Sequence, residues 1–123
     1  MQYGFVIPSG GAREVAELAR RAESAGWDGI FVAETVWGVD AWVSLAAAAM
    51  VTERIRLGTL LSPVSRMRPW KLASETETLD RLSNGRVTLS VGLGALDTGF
   101  AEFSGKLPTA KRAQSCLTRV STF

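Results

Sequence analysis

Apolar, β-rich runs recur along this chain at intervals that leave room for one helix between each pair, and no other feature restricts the fold as much. Residues 3–8 read YGFVIP, 29–34 GIFVAE, 55–63 IRLGTLLSP and 86–94 RVTLSVGLG. The runs start near residues 3, 29, 56 and 86, one repeat every ~26–30 residues, the length of a β/α unit in parallel folds. Helical patterns fill the gaps. Residues 12–25, AREVAELARRAESA, place Val15, Leu18, Ala19 and Ala22 on one face, with Gly26 as the stop. Asp40 is expected to cap a helix over residues 41–51. Pro69 suits a helix start, and Asn84-Gly85 ends that helix. Near-continuous apolar strands are those covered by helices on one face and by a core on the other. Doubly wound sheets and (β/α)8 barrels both fit. A complete barrel takes ~250 residues, so four units in 123 residues make half of one.

Composition removes several classes of chemistry. There is no histidine, hence neither the usual general base nor the usual metal ligand. One cysteine, Cys116, excludes an internal disulfide and a cysteine-based metal cluster, so no metal site is expected. No apolar run approaches the ~20 residues of a membrane span, and the start MQYGFVIPSGG lacks the basic segment of a secretory leader. A cytoplasmic protein is expected. The net charge of +2 suggests a nucleic-acid partner only until it is mapped. Residues 1–105 carry 10 basic and 12 acidic side chains, whereas Lys106, Lys111, Arg112 and Arg119 stand in a tail without acids. Four dispersed cations without interleaved aromatics do not make a nucleic-acid surface.

In either α/β architecture, ligands gather at the C-terminal ends of the strands. The candidates there are Pro8-Ser9-Gly10-Gly11, Glu34-Thr35, Thr59 to Ser62, and Gly92 to Ala95. Gly92-Leu93-Gly94 fails as a dinucleotide fingerprint, because Asp97 stands where a third glycine is required. Glu34 is either a solvated edge acid or a group turned into a cleft, where its proton affinity can be tuned. The TLLSP segment (59–63) is either a strand end broken by Pro63 or part of the same cleft. Trp37, Trp42 and Trp70 stand near this rim, suited to a pocket wall or to core packing.

The blocks TERIRLGT, LDRLSNGR and VGLG, in that order within residues 52–94, resemble the bacterial luciferase-like flavin-dependent oxidoreductases. The resemblance covers residues 1–105 and implies a (β/α)8 TIM barrel using FMN or the deazaflavin F420, here reduced to about four units. It implies that Glu34 is the one acid or base of the site. Many members carry an acid followed by histidine at that strand end, and here the second residue is Thr35. Thr35, Thr59, Leu60, Leu61, Gly92, Leu93 and Gly94 are implied cofactor-binding positions. Members often have a non-prolyl cis peptide that would fall between Leu60 and Leu61. The cofactor carries the hydride or activated oxygen in such enzymes, and the barrel orients a small organic substrate and excludes water.

The family pattern fades after residue 105, and residues 106–123 read as an atypical basic tail. One set of allowed codons for residues 109–123, read two bases on, encodes the amphipathic RETRAELLDEGLDI. A frameshift that truncates a longer barrel enzyme is therefore expected, with reduced or no activity. The alternative is a non-catalytic half-barrel that self-associates. Either way the exposed barrel interior and unpaired strand edge favour a homodimer or higher oligomer.

Overall fold

Each expected strand–helix repeat forms, and the strands align in parallel. The computed structural model describes residues 1–94; the remainder of the family-like segment, 95–105, and the basic tail, 106–123, lie outside the described residues. Strand β1 (Gly4–Ile7) is followed by α1 (Ala12–Ser24), β2 (Gly29–Val32), α2 (Ala41–Ala49) and β3 (Arg56–Thr59). A two-residue strand β4 (Ser62–Pro63) and a single 3-10 turn lead into α3 (Pro69–Leu82). The short strands β5 (Val87–Thr88) and β6 (Val91–Gly92) complete the described chain. The main sheet has the order β1-β2-β3-β5, all parallel, with Phe5 opposite Ile30 and Ile30 opposite Leu57. Consecutive parallel strands joined by helices on one side make part of a barrel wall.

The runs at 55–63 and 86–94 are not single strands. Leu60 N–H donates to Val32 O at 2.8 Å, on the β2 side. The Leu60–Leu61 peptide is cis, and beyond it Ser62 N–H donates to Ser90 O at 2.8 Å, on the opposite side. The 55–63 run keeps the 86–94 run as its neighbour on both sides of this break, β3 pairing with β5 and β4 with β6 in a separate two-stranded sheet, Ser62 opposite Val91.

Alternation sorts the strand residues into two faces. Ile7, Ile30, Val32 and Leu57 join Val15, Ala19, Leu45, Ala48, Leu72 and Leu79 of the helices in one core. The opposite face, the barrel interior, is nearly bare. There Phe31 is the largest apolar side chain on β1, β2 and β3, and its ring lies over Gly4, Gly29 and Gly58. A Cβ on Gly4 or Gly58 would come within 2.8 Å of that ring. Leu18, expected on the buried face of α1, is 38% exposed, because the described chain supplies no element on that flank.

Local signals set the helix ends. Asp40 caps α2 by accepting from Val43 N–H at 2.8 Å, as its position before an apolar run requires. The helix closes two residues short of Val51, in a tightened turn that ends with Val51 N–H on Ala48 O. Asn84 and Gly85 both take positive φ, 57° and 79°, and stop α3.

One carboxylate ties α1 to the loop before β3. Glu23 accepts from the backbone N–H groups of Glu53, Arg54 and Ile55, at 2.6 to 3.1 Å. Burial raises its pKa, but the three N–H donors outweigh burial and hold it below its ordinary value. Glu23→Gln is expected to destabilise the chain by about 1 kcal/mol at neutral pH. A lowered folded pKa means this contribution is present above the unfolded value of 4.5 and fades as pH falls through the folded one. Urea unfolding of both proteins at pH 7 and pH 3 checks it: the gap should narrow at pH 3.

Candidate functional site

Glu34 is held by the sheet it follows. The β2 ladder ends at Val32, and Ala33 N–H still reaches Ile7 O at 3.3 Å, so the next residue leaves the barrel wall at its C-terminal rim. There Ser62 Oγ donates to Glu34 Oε2 at 2.9 Å, and Ser62 Oγ lies 2.9 Å from Thr59 Oγ1. Ser62 and Thr59 are fully buried, at 0% and 1% exposure. Burial pushes the Glu34 carboxyl up from its ordinary 4.5 to about 7. The Ser62 hydroxyl pulls the other way, and the negative charges of Asp40 and Glu75 add to the rise.

Glu34 opens onto a cavity of about 420 Å3, within the size range of small-molecule sites. Ala33, Thr35, Leu60, Leu61, Pro63, Leu93 and Gly94 complete its lining. The cis peptide expected between Leu60 and Leu61 is present and stands in that lining. Six of the eight site residues read from the sequence therefore share one cavity. Thr59 lies beneath it, in the hydroxyl pair. Gly92 backs it: a Cβ there would meet Leu61 Cδ2 at 2.7 Å and push that side chain. Gly94 takes φ 78°, and a Cβ on it would sit 2.8 Å from Pro63 and 2.9 Å from Arg66 Nη1. Only glycine suits both demands at Gly94.

Ser62 stood among the strand-end candidates in the sequence, but its bond to Glu34 was not read there. Its partners were the missing signal, since nothing in TLLSP places its hydroxyl under a carboxyl 28 residues earlier. None of the three tryptophans near the rim lines the cavity. Trp42 is buried in the core at 7% exposure, whereas Trp37 and Trp70 are exposed, with the Arg68 guanidinium 5.6 Å from the Trp70 ring centre.

An acid in an apolar cavity at the strand ends of a partial barrel, floored by a cis peptide, is the arrangement that the sequence resemblance implies. Residues 1–115 match the family described as luciferase-like monooxygenase. This chain belongs to that family.

The luciferase-like chain is 43% identical over 91 residues to an F420-dependent glucose-6-phosphate dehydrogenase of Beutenbergia cavernae, covering 67% of this chain and 27% of the relative. It superposes on an F420-dependent tetrahydromethanopterin reductase from Methanopyrus kandleri with a TM-score of 0.78 and 25% identity, over 85% of this chain and 30% of that one. It superposes also on the FMN-bound oxygenating constituent of 3,6-diketocamphane monooxygenase from Pseudomonas putida. There the TM-score is 0.82 at 22% identity, over 98% of this chain and 38% of that one, a likeness of fold. The luciferase-like chain spans between 20% and 39% of the length of the curated relatives it matches. Among the described residues, no helix is long and apolar enough to cross a membrane.

Proposed function

We propose that this chain is the cofactor-facing first half of an F420- or FMN-dependent oxidoreductase, with its site in the cavity beside Glu34. The observation that carries the reading is the convergence of Glu34, Leu60-Leu61 and Leu93-Gly94 on one cavity at the strand ends. The residues present fit a flat ring system. Leu60, Leu61, Pro63 and Leu93 offer an apolar bed, and Gly94 lets backbone approach where any side chain would strike Arg66. The bound group supplies hydride or oxygen chemistry.

The protein's own contribution is positional. Leu60, Leu61 and Leu93 exclude water from one face of the cavity. Glu34, close to half protonated near pH 7, holds or gives up a proton at Oε1 or Oε2 where a small organic substrate would meet the ring. The 123 residues alone are proposed to have reduced or no turnover, since the relatives contribute more than half their length beyond the matched part. The cytoplasm is the proposed compartment for a chain with a single cysteine.

A second reading has its own support. Val6, Leu60 and Leu93 are 41%, 47% and 48% exposed on the interior side and rim, and β1 is a sheet edge among the described strands. A self-associating, non-catalytic half-barrel would cover them. Titration with FMN and with F420, followed by absorbance and fluorescence, separates the two. Saturable binding of either, weakened about tenfold or more in Gly94→Ala, is expected from the lost close approach. No saturable change with either, together with a dimer or larger species by light scattering, leaves the self-associating reading standing.

A further inference from the structure

Two buried hydroxyls separate Glu34 from the backbone of the segment between β5 and β6. Ser62 Oγ lies 2.9 Å from Glu34 Oε2, and Thr59 Oγ1 lies 2.9 Å from Ser62 Oγ, a pair in which either oxygen can donate. Thr59 Oγ1 is also 3.4 Å from the Ser90 carbonyl oxygen, which can only accept. Neither hydroxyl is open to solvent.

A row that ends on a fixed acceptor can be bonded in two directions. With Glu34 ionised, Thr59 donates to Ser62, and Ser62 donates to the carboxylate. With Glu34 protonated, the carboxyl donates to Ser62, Ser62 to Thr59, and Thr59 to Ser90 O. Between the two states each hydroxyl rotates about its C–O bond, and no proton passes from one oxygen to the next. Every hydroxyl hydrogen has an acceptor in both states, which buried polar groups require.

We infer that Ser62 and Thr59 form a reversible row of hydroxyls that keeps the Glu34 carboxyl aimed at the cavity in both of its protonation states. They are positioning residues that act through Glu34. The row deepens the proposed function, on which it rests for its use: an acid that must release and regain a proton keeps one orientation throughout. Other charges bear on Glu34 as well. Asp40 at the start of α2 and Glu75 on α3 favour the neutral form, and the Arg66 guanidinium stands across the cavity beside Gly94.

The test is a carbon-13 NMR titration of the Glu34 carboxyl in the full chain, without cofactor, for wild type, Ser62→Ala, Ser62→Thr and Thr59→Val. Ser62→Ala takes a donor from the charged form, which loses more than the neutral form does, so the midpoint should rise by roughly one pH unit. Thr59→Val removes the acceptor needed by the neutral row, so the midpoint should fall. Ser62→Thr keeps the hydroxyl and should titrate close to wild type. A packing role gives no reason for opposite signs at adjacent links. Movement in the same direction, or no movement in either variant, overturns the inference. If Ser62→Ala does not fold, infrared spectra of wild type decide. The protonated carboxyl band, identified by its loss in Glu34→Gln, should lie where a carboxyl donating to a hydroxyl absorbs; a free-carboxyl band overturns the row. Both readouts are made without FMN or F420, so failure of either cofactor to bind leaves them intact.

Discussion

Arg86→Met is expected to destabilise the chain by about 3–4 kcal/mol. The guanidinium joins residues 49–55 to the end of α3, stretches some thirty residues apart in sequence. Its Nη1 donates to Thr52 Oγ1 at 2.9 Å and Ile55 O at 3.0 Å. Its Nη2 donates to Ala49 O at 3.1 Å and Thr52 O at 2.9 Å, and its Nε to Ser83 O at 2.6 Å. Ala49 closes α2, so the cation also meets the negative end of that helix. Methionine keeps the apolar stem and leaves four carbonyls without this donor. Each bond from a charged donor contributes about 1.5–3 kcal/mol, but bonds from one group do not add, and water reaches this half-buried site. Arg86→Lys should recover part of the loss, since one ammonium cannot span five acceptors. Urea unfolding followed by circular dichroism measures both. An Arg86→Met chain as stable as wild type would remove the clasp from the account of this fold.

Glu34→Gln should do the reverse and stabilise the chain at alkaline pH. The folded carboxyl, at about 7, binds its proton more tightly than the unfolded one at 4.5. Between those values the native state holds more protons, so stability falls as pH rises across the window. Below about 4.5 both states are protonated and Glu34 exacts no penalty; above about 7 the penalty is complete. With allowance for the solvent that reaches this partly open group, the penalty is on the order of 1–2 kcal/mol. Glutamine stays neutral and can still accept from Ser62. The stability gap between variant and wild type should be near zero at pH 4 and open in favour of glutamine at pH 8. Carboxylates common to both proteins, Glu23 included, cancel in the comparison. A gap that does not change with pH would show that Glu34 titrates as an ordinary surface acid. Such a trade of stability for a tuned group is common where a side chain serves chemistry.

The repeat, the cap at Asp40, the helix start at Pro69 and the stop at Asn84-Gly85 were legible because each depends on side chains close in sequence. So was the cavity's list of residues, through the family blocks. What escaped depends on backbone groups. Arg86 and Glu23 bond to carbonyl and amide groups of distant segments, and such groups have no letter of their own. The split of the third and fourth strands was hidden as well: an apolar run reads alike whether or not its ladder is interrupted. Ser62 escaped with that split, because its hydroxyl bonds to Glu34, a partner 28 residues away in sequence.

Phe31 and the glycines beneath it also limit the order in which this interior could be redesigned. A methyl group at Gly4 or Gly29 meets only the ring or more distant atoms, at 2.8 and 3.2 Å from Phe31. Either change becomes tolerable once position 31 has shrunk. Gly58 is different, since a methyl there would also lie 2.5 Å from the Thr88 carbonyl oxygen, an obstacle that no change at position 31 removes. A selection for a roomier interior would thus have to change Phe31 before Gly4, at 2.8 Å, while a methyl at Gly29, at 3.2 Å, asks only a small shift of the ring. Gly58 would stay fixed throughout.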